Sequence, residues 1–266
     1  MRSTARVPER IASEVDEYGT VTARYYDAAY APLRQGADIE FYRELARQAA
    51  GPVLELGCGT GRVLLPIAEL GIPCTGLDAS PRMLEVLRRR SQVPTLRLVC
   101  QRMQAFDLGE ERFTLIFSAF RALQHLYSVE DQLACLARVR RHLAPGGSFA
   151  FDVFAPQLER MAQVERPEQE DVRFELEGEE IVRFVSVRTD AASQILHVRM
   201  RYERRKGDSV LDDDVVEFRL RYFFRYELEH LLARAGFDDL EFLGGFDGRP
   251  YDYVSRETVV VASASS

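Results

Sequence analysis

Three glycines at alternating positions, Gly57, Gly59 and Gly61, stand in the stretch "VLELGCGTGRVLLPIAELG" (residues 53–71), between an apolar run and an amphipathic pattern. A glycine-rich turn joining a first strand to a first helix is where open α/β sheets hold a nucleotide-like ligand, because a backbone without Cβ atoms admits close approach. The dinucleotide fingerprint spaces its glycines G-x-G-x-x-G and sets a pyrophosphate on the helix N-terminus. Here the spacing is G-x-G-x-G, and Glu55 precedes it at the strand end. A carboxylate there would repel a pyrophosphate but suits an ammonium or sulfonium charge. A second acid, Asp78, closes the next apolar run, "IPCTGLD". Metal chemistry is not indicated. Cys58, Cys74, Cys100 and Cys135 are widely spaced, form no CxxC pair and have no histidine at ligand spacing. Each falls in an apolar run and reads as buried filler.

The elements that must position these residues alternate between strand and helix. Residues 53–56 form a short buried strand, and residues 63–70 a helix that Gly71 ends. After the strand ending at Asp78, Ser80 caps a helix with Pro81 at its first position, which turns Met83, Leu84, Val86 and Leu87 inward. "TLRLVC" gives a third strand, "RFTLIFSAF" a fourth and "SFAFDVF" a fifth. Between the last two, "SVEDQLACLARVRRHLAPGG" reads as a helix opened by Ser128 and closed by the Pro-Gly-Gly turn. Strands separated by helices at this spacing imply a parallel sheet with right-handed crossovers. Upstream, Ile39, Phe41, Tyr42, Leu45, Ala46 and Ala49 mark the buried face of a helix over residues 38–50. Residues 1–20 are polar and read as a mobile arm or a first helix.

Between about Pro156 and Phe224 the rhythm changes. Leu196, Val198, Met200 and Tyr202 alternate with His197, Arg199, Arg201 and Glu203, and Val216, Phe218, Leu220 and Tyr222 with Glu217, Arg219 and Arg221. These are half-buried antiparallel strands, with acidic turns expected at "LEGEE" and "LDDDV". The tail returns to α/β, with a helix in "YELEHLLARAGF" and closing strands in "LEFLGGF" and "TVVVAS". The plan is one domain over 1–266. It has an N-terminal helical cap (1–50), a core of 51–156 and 221–266, and an antiparallel β insertion (157–220) as a lid on the substrate side.

Charge narrows the partners. With 35 basic and 42 acidic residues the net charge is -7, the opposite of a footprint for nucleic-acid phosphates. No window approaches the ~20 apolar residues of a membrane span, and the N-terminus has no apolar core of a signal peptide. A cytoplasmic location is expected.

The residues "LELGCGTG" followed by "GLDAS" resemble the first two motifs of class I S-adenosylmethionine-dependent methyltransferases. "LAPGGSFAFDVF" and the C-terminal run also look like this family. The resemblance implies a Rossmann-like seven-stranded, mostly parallel sheet with helices on both faces, ending in an antiparallel hairpin, beside the small β insertion. It implies S-adenosyl-L-methionine as cofactor, S-adenosyl-L-homocysteine as product and a small-molecule methyl acceptor. By the same resemblance Gly57, Cys58 and Gly59, beside Glu55, lie against the methionine and ribose portion. Asp78, with Ala79 next to it, takes both ribose hydroxyls, at about the 20-residue offset of ribose-binding acids in related sheets. The sequence departs from the family where an acid often meets the adenine amino group. "CQRMQAFDL" leaves the Met103–Gln104 backbone and the Gln104 amide for that task, with Met83 and Met103 over the adenine faces; Met83 is equally suited to core. Ser118, Ala119 and Phe120 would run past the cofactor, and Arg121, Gln124 and His125 would face substrate. The N-terminal segment would fold over the cofactor with Tyr26 near its carboxylate, Tyr25 being the second candidate; core packing suits either.

The chemistry so implied is in-line displacement at a sulfonium methyl, for which alignment and water exclusion contribute roughly 7–11 kcal/mol. An amine acceptor needs at most a proton acceptor; a hydroxyl or carbon acceptor benefits from a general base. Tyr26 and His125 are the candidates for a catalytic role, and His125 reads equally as a hydrogen-bonded helix residue. Arg199, Arg201, Arg219 and Arg221 could receive an anionic acceptor, although Glu203 and Glu217 sit among them as on a solvated strand. A non-catalytic sensor or assembly protein for the same cofactor is the alternative function. Aminopropyl transfer would need acids that "SAFRALQHL" lacks, and nicotinamide chemistry fits neither the glycine spacing nor Glu55.

Overall fold

The computed structural model describes residues 19–31, 36–207 and 209–263; the arm read over residues 1–20 lies almost wholly outside them. Helices α1 (Thr20–Tyr30) and α2 (Ala37–Ala49) lead into β1 (Val53–Leu56), α3 (Leu64–Ala68), β2 (Cys74–Asp78), α4 (Pro81–Arg90), β3 (Leu96–Cys100) and β4 (Phe113–Ser118). A single 3-10 turn (Ala122–His125) precedes α5 (Val129–His142), β5 (Leu143–Phe154) and α6 (Leu158–Met161). Four long strands follow, β6 (Glu165–Leu176), β7 (Glu179–Asp190), β8 (Ile195–Lys206) and β9 (Ser209–Arg221). The chain closes with α7 (Arg225–Arg234), β10 (Asp239–Leu243) and β11 (Glu257–Ser263).

One sheet has the order β3-β2-β1-β4-β5-β11-β10. Its first five members run parallel, and β11 pairs antiparallel with both β5 and β10. The chain winds one way from β1 to β3 and the other way from β4 onward, so β1 and β4 flank the switch point where a crevice opens beyond the strand ends. Strand residues alternate between two apolar layers. Leu54, Leu56, Ile116 and Phe149 pack with Leu136 of α5 and Leu231 of α7. Val53, Leu115 and Phe117 pack with Tyr42 of α2 and Leu64 of α3. Each such fully buried side chain contributes about 1.5–3 kcal/mol relative to exposure. Ser80 and Ser128 cap α4 and α5, accepting from the Met83 and Asp131 amides.

The second sheet, β6-β7-β8-β9, is a run of antiparallel hairpins. Glu177 and Gly178, both at positive φ, make the first turn at "LEGEE". Three local expectations change. "LDDDV" is not a turn but lies inside β9, where Arg204 of the neighbouring strand bonds Asp212. The cross-strand arginine neutralises an acid that usually belongs in a loop. The Pro-Gly-Gly turn lies within β5, where pairing with β4 slips from Phe113↔Leu143 to Leu115↔Ser148. Cys58, Cys74 and Cys135 are buried as read, but Cys100, ending the outermost strand β3, is exposed; all four are free thiols.

Helix α1 joins the two sheets. The Tyr25 hydroxyl donates to Asp214 Oδ2 at 2.6 Å, and its ring stacks on Tyr202 at 4.6 Å. Two residues on, Asp27 Oδ1 accepts from the Thr60 hydroxyl at 2.7 Å, in the glycine loop.

Candidate functional site

A cavity of about 1520 Å3 opens beyond the carboxyl ends of β1, β2 and β4. Its floor is the glycine loop. Gly57 adopts φ +74 and donates to the Leu77 carbonyl at 2.7 Å; a Cβ there would stand 2.6 Å from that of Ala122. Only glycine lets β1, β2 and the loop after β4 meet so closely. Asp78 ties the floor together: Oδ2 accepts from the Gly59 amide and Oδ1 from the Ser80 amide, both at 2.8 Å. Burial pushes the Asp78 carboxyl above its ordinary pKa, against these two amide bonds.

Of the residues singled out in the sequence, Gly57, Gly59, Asp78, Ala79 and Met83 line this cavity from one side. Met103 and Gln104, after β3, and Phe120 and His125, after β4, line it from the other, while Tyr26 reaches it from α1. Glu55, Cys58 and Ser118 do not line it. Glu55 is 3% exposed, and burial drives its carboxyl far above the usual range, against the pull of Arg62. The Cys58 sulfur turns toward Gly76 of β2, and Ser118 is fully buried at the end of β4. Glu55 therefore does not present to the cavity the negative charge expected from its place before the loop.

The loop after β4 is held in an unfavourable conformation. Phe120 and Arg121 sit at φ +56 and +66, the left-handed region that side chains with a Cβ rarely adopt. The buried Asp152 of β5 holds it there, accepting from the Phe120 amide at 2.8 Å and from the Tyr42 hydroxyl at 2.9 Å. The Phe120 ring meets Tyr26 and Tyr30 edge-on, with the Arg62 guanidinium 4.8 Å from its centroid. Burial raises the Tyr26 phenol well above its ordinary pKa. Tyr26 is therefore a hydrogen-bond donor near neutral pH, not a base.

The second sheet forms the far wall. Four runs of three residues reach the cavity, 165–167, 186–188, 197–199 and 217–219, and strand alternation lets only one set of side chains face in. Phe218 lies 6.2 Å from the His125 ring, and Val187, Val198 and Phe218 cluster with Phe154 of β5. The inner face is thus the apolar one. Arg199, Arg201, Arg219 and Arg221 alternate with these apolar positions; Arg199 and Arg219 are among the residues that line the cavity, and Arg201 and Arg221 are not. Glu168 bonds Arg199 and Arg201, Glu227 bonds Arg221, and Arg219 stacks on Tyr127. Nothing in the sequence marks residues 166, 187, 198 and 218 as site positions. Alternation separates two faces without saying which is inside.

Among the described residues no cluster of His, Cys, Asp and Glu could hold a metal ion, and no helix is long and apolar enough to cross a membrane. A family model described as "Methyltransferase domain" matches residues 53–147. Cypemycin N-terminal methyltransferase from a Streptomyces species is 26% identical over 254 residues, 94% of this chain and 98% of that protein. The structure of the CcbJ methyltransferase from Streptomyces caelestis superposes with a TM-score of 0.74 at 28% identity, covering 92% of this chain and 99% of that one. These matches support a class I S-adenosylmethionine-dependent methyltransferase. Another relative of this methyltransferase is CalS10, an amino pentose methyltransferase from Micromonospora echinaspora solved with S-adenosylmethionine bound. It matches at 25% identity and a TM-score of 0.71 over 90% of this chain and 96% of that one. The reaction of this methyltransferase is methyl transfer from that cofactor. At the mouth between its two sheets, His125 Nδ1 lies 3.4 Å from the Tyr127 hydroxyl, and both line the cavity.

Proposed function

We propose that this methyltransferase methylates an amine of a small molecule. The cavity's size carries the reading: about 1520 Å3 exceeds the roughly 300–1000 Å3 of a one-ligand pocket, leaving room for an acceptor beside the cofactor. The names of the cypemycin N-terminal and amino pentose methyltransferases support an amine acceptor.

The residues present fit the cofactor. A carboxylate offers about four lone-pair sites, and the amides of Gly59 and Ser80 occupy one on each Asp78 oxygen. The side of the carboxylate toward the cavity would take the two ribose hydroxyls. Gly57 and Gly59 admit the ligand to the backbone, Met83 and Met103 flank the base, and Gln104 meets its edge. Tyr26 donates from α1, and Phe120 closes the side toward the acceptor. Glu55, Cys58 and Ser118 act from behind the loop by packing. When bound, S-adenosylmethionine supplies an activated methyl group on a sulfonium. The protein's share is alignment and exclusion of water. His125 accepts the proton that the amine releases, with the Tyr127 hydroxyl orienting the ring. Four free cysteines support a cytoplasmic location, and the net charge of -7 supports a partner other than nucleic acid.

Incubation with methyl-labelled cofactor and paired amino and hydroxy sugars tests the reading. Label is expected on nitrogen; transfer to the hydroxyl compounds alone would sink it.

A further inference from the structure

Most arginines of the second sheet are matched. Asp171 bonds Arg183, Glu168 bonds Arg199 and Arg201, and Glu203 bonds Arg205. Arg166 differs. It stands opposite Val187 in the β6–β7 register, and Val187 stands opposite Val198, which stands opposite Phe218. Arg166 therefore shares the inner, apolar face and lines the cavity. Its Nε is shielded from solvent without a hydrogen-bond partner, and among the described residues no carboxylate reaches its guanidinium. Burial, and after it the nearby Arg160, pushes its pKa below the ordinary value.

A guanidinium on an apolar wall is costly to leave unmatched, and its planar fork fits the two oxygens of a carboxylate or phosphate. We infer that Arg166 is the anchor for an anionic group of the acceptor, which makes the substrate an amine that also carries a carboxylate or a phosphate. The inference rests on the amine-methylation reading for the acceptor's nitrogen, not for its charge. Val187, Val198 and Phe218 take the apolar body between the two ends, so the acceptor is read at three points: His125, the apolar strip and Arg166.

Calorimetry on the protein saturated with S-adenosylhomocysteine tests this with three probes: glucosamine, glucosamine 6-phosphate and 2-amino-2-deoxyglucuronate. The wild type is expected to bind at least one anionic probe tenfold or more tighter than glucosamine, and the preferred anion separates phosphate from carboxylate. R166Q is expected to bring that ratio to about one, and R166K to keep part of it. R173Q, at a residue paired with Glu170 and outside the cavity lining, is expected to leave it intact. An unchanged affinity for S-adenosylhomocysteine reports that each variant is folded. A wild-type ratio near one, including no binding of any probe, overturns the inference. So does an undiminished ratio in R166Q or its loss in R173Q. A protein that shows the ratio but methylates only hydroxyl compounds would overturn the amine reading and leave Arg166 in place.

Discussion

The Gly59 amide donates to Asp78 Oδ2 at 2.8 Å, so the acid after β2 also fixes the loop after β1. Replacing Asp78 by alanine removes two proposed bonds to the ribose and the restraint on the loop. S-adenosylhomocysteine should bind at least about tenfold more weakly, since charge-assisted bonds are the stronger class. An unchanged dissociation constant by calorimetry would place the ribose elsewhere.

The same group sets a pH dependence. Burial raises the Asp78 pKa, so on acidification it takes up its proton at higher pH than an ordinary aspartate, near 3.9. In the proposed binding mode the carboxylate form accepts both ribose hydroxyls. Cofactor affinity should therefore fall as pH is lowered through that raised value, and D78N should abolish this dependence. A wild-type affinity that is flat from neutral pH down to about 4 would contradict the role.

Glu55 leads to a stability test with the opposite slope. Its folded pKa is raised, so its contribution to stability is fully present below the unfolded value near 4.3 and is lost as pH rises toward the folded one. E55Q removes that loss. The variant's melting temperature relative to wild type should climb between pH 4 and 8; a constant difference would mean that Glu55 is ionised in the folded protein.

Asp152 and Tyr42 separate loop geometry from general stability. D152A leaves the Phe120 amide and the Tyr42 hydroxyl without their acceptor, at about 1–3 kcal/mol each. Y42F removes one bond and should cost about 1 kcal/mol. Turnover should drop in D152A by far more than in Y42F under conditions where both are folded. Equal turnover would show that the left-handed pair at 120 and 121 does not need Asp152.

Much of this architecture can be read from the residues. The β1 loop, Asp78 and the caps Ser80 and Ser128 have local causes, so spacing and turn chemistry suffice to find them. What depends on distant packing is hidden. Glu55 reads as a charge facing a ligand, but a strand buried on both faces turns it inward. "LDDDV" reads as a turn until Arg204 stands beside Asp212. Arg166 lies in "VERPEQED", a polar run with no alternation to mark it. Only the register with Val187 puts it on the inner wall.

The proposed acceptor wall and the proposed cofactor floor belong to different sheets with separate hydrogen-bond ladders. Substitutions at positions 166, 187, 198 and 218 can reshape the wall without touching the glycine loop or the parallel core. Under that reading the four-stranded sheet is a panel whose substitution changes acceptor preference while the methyl-donor loop stays as it is.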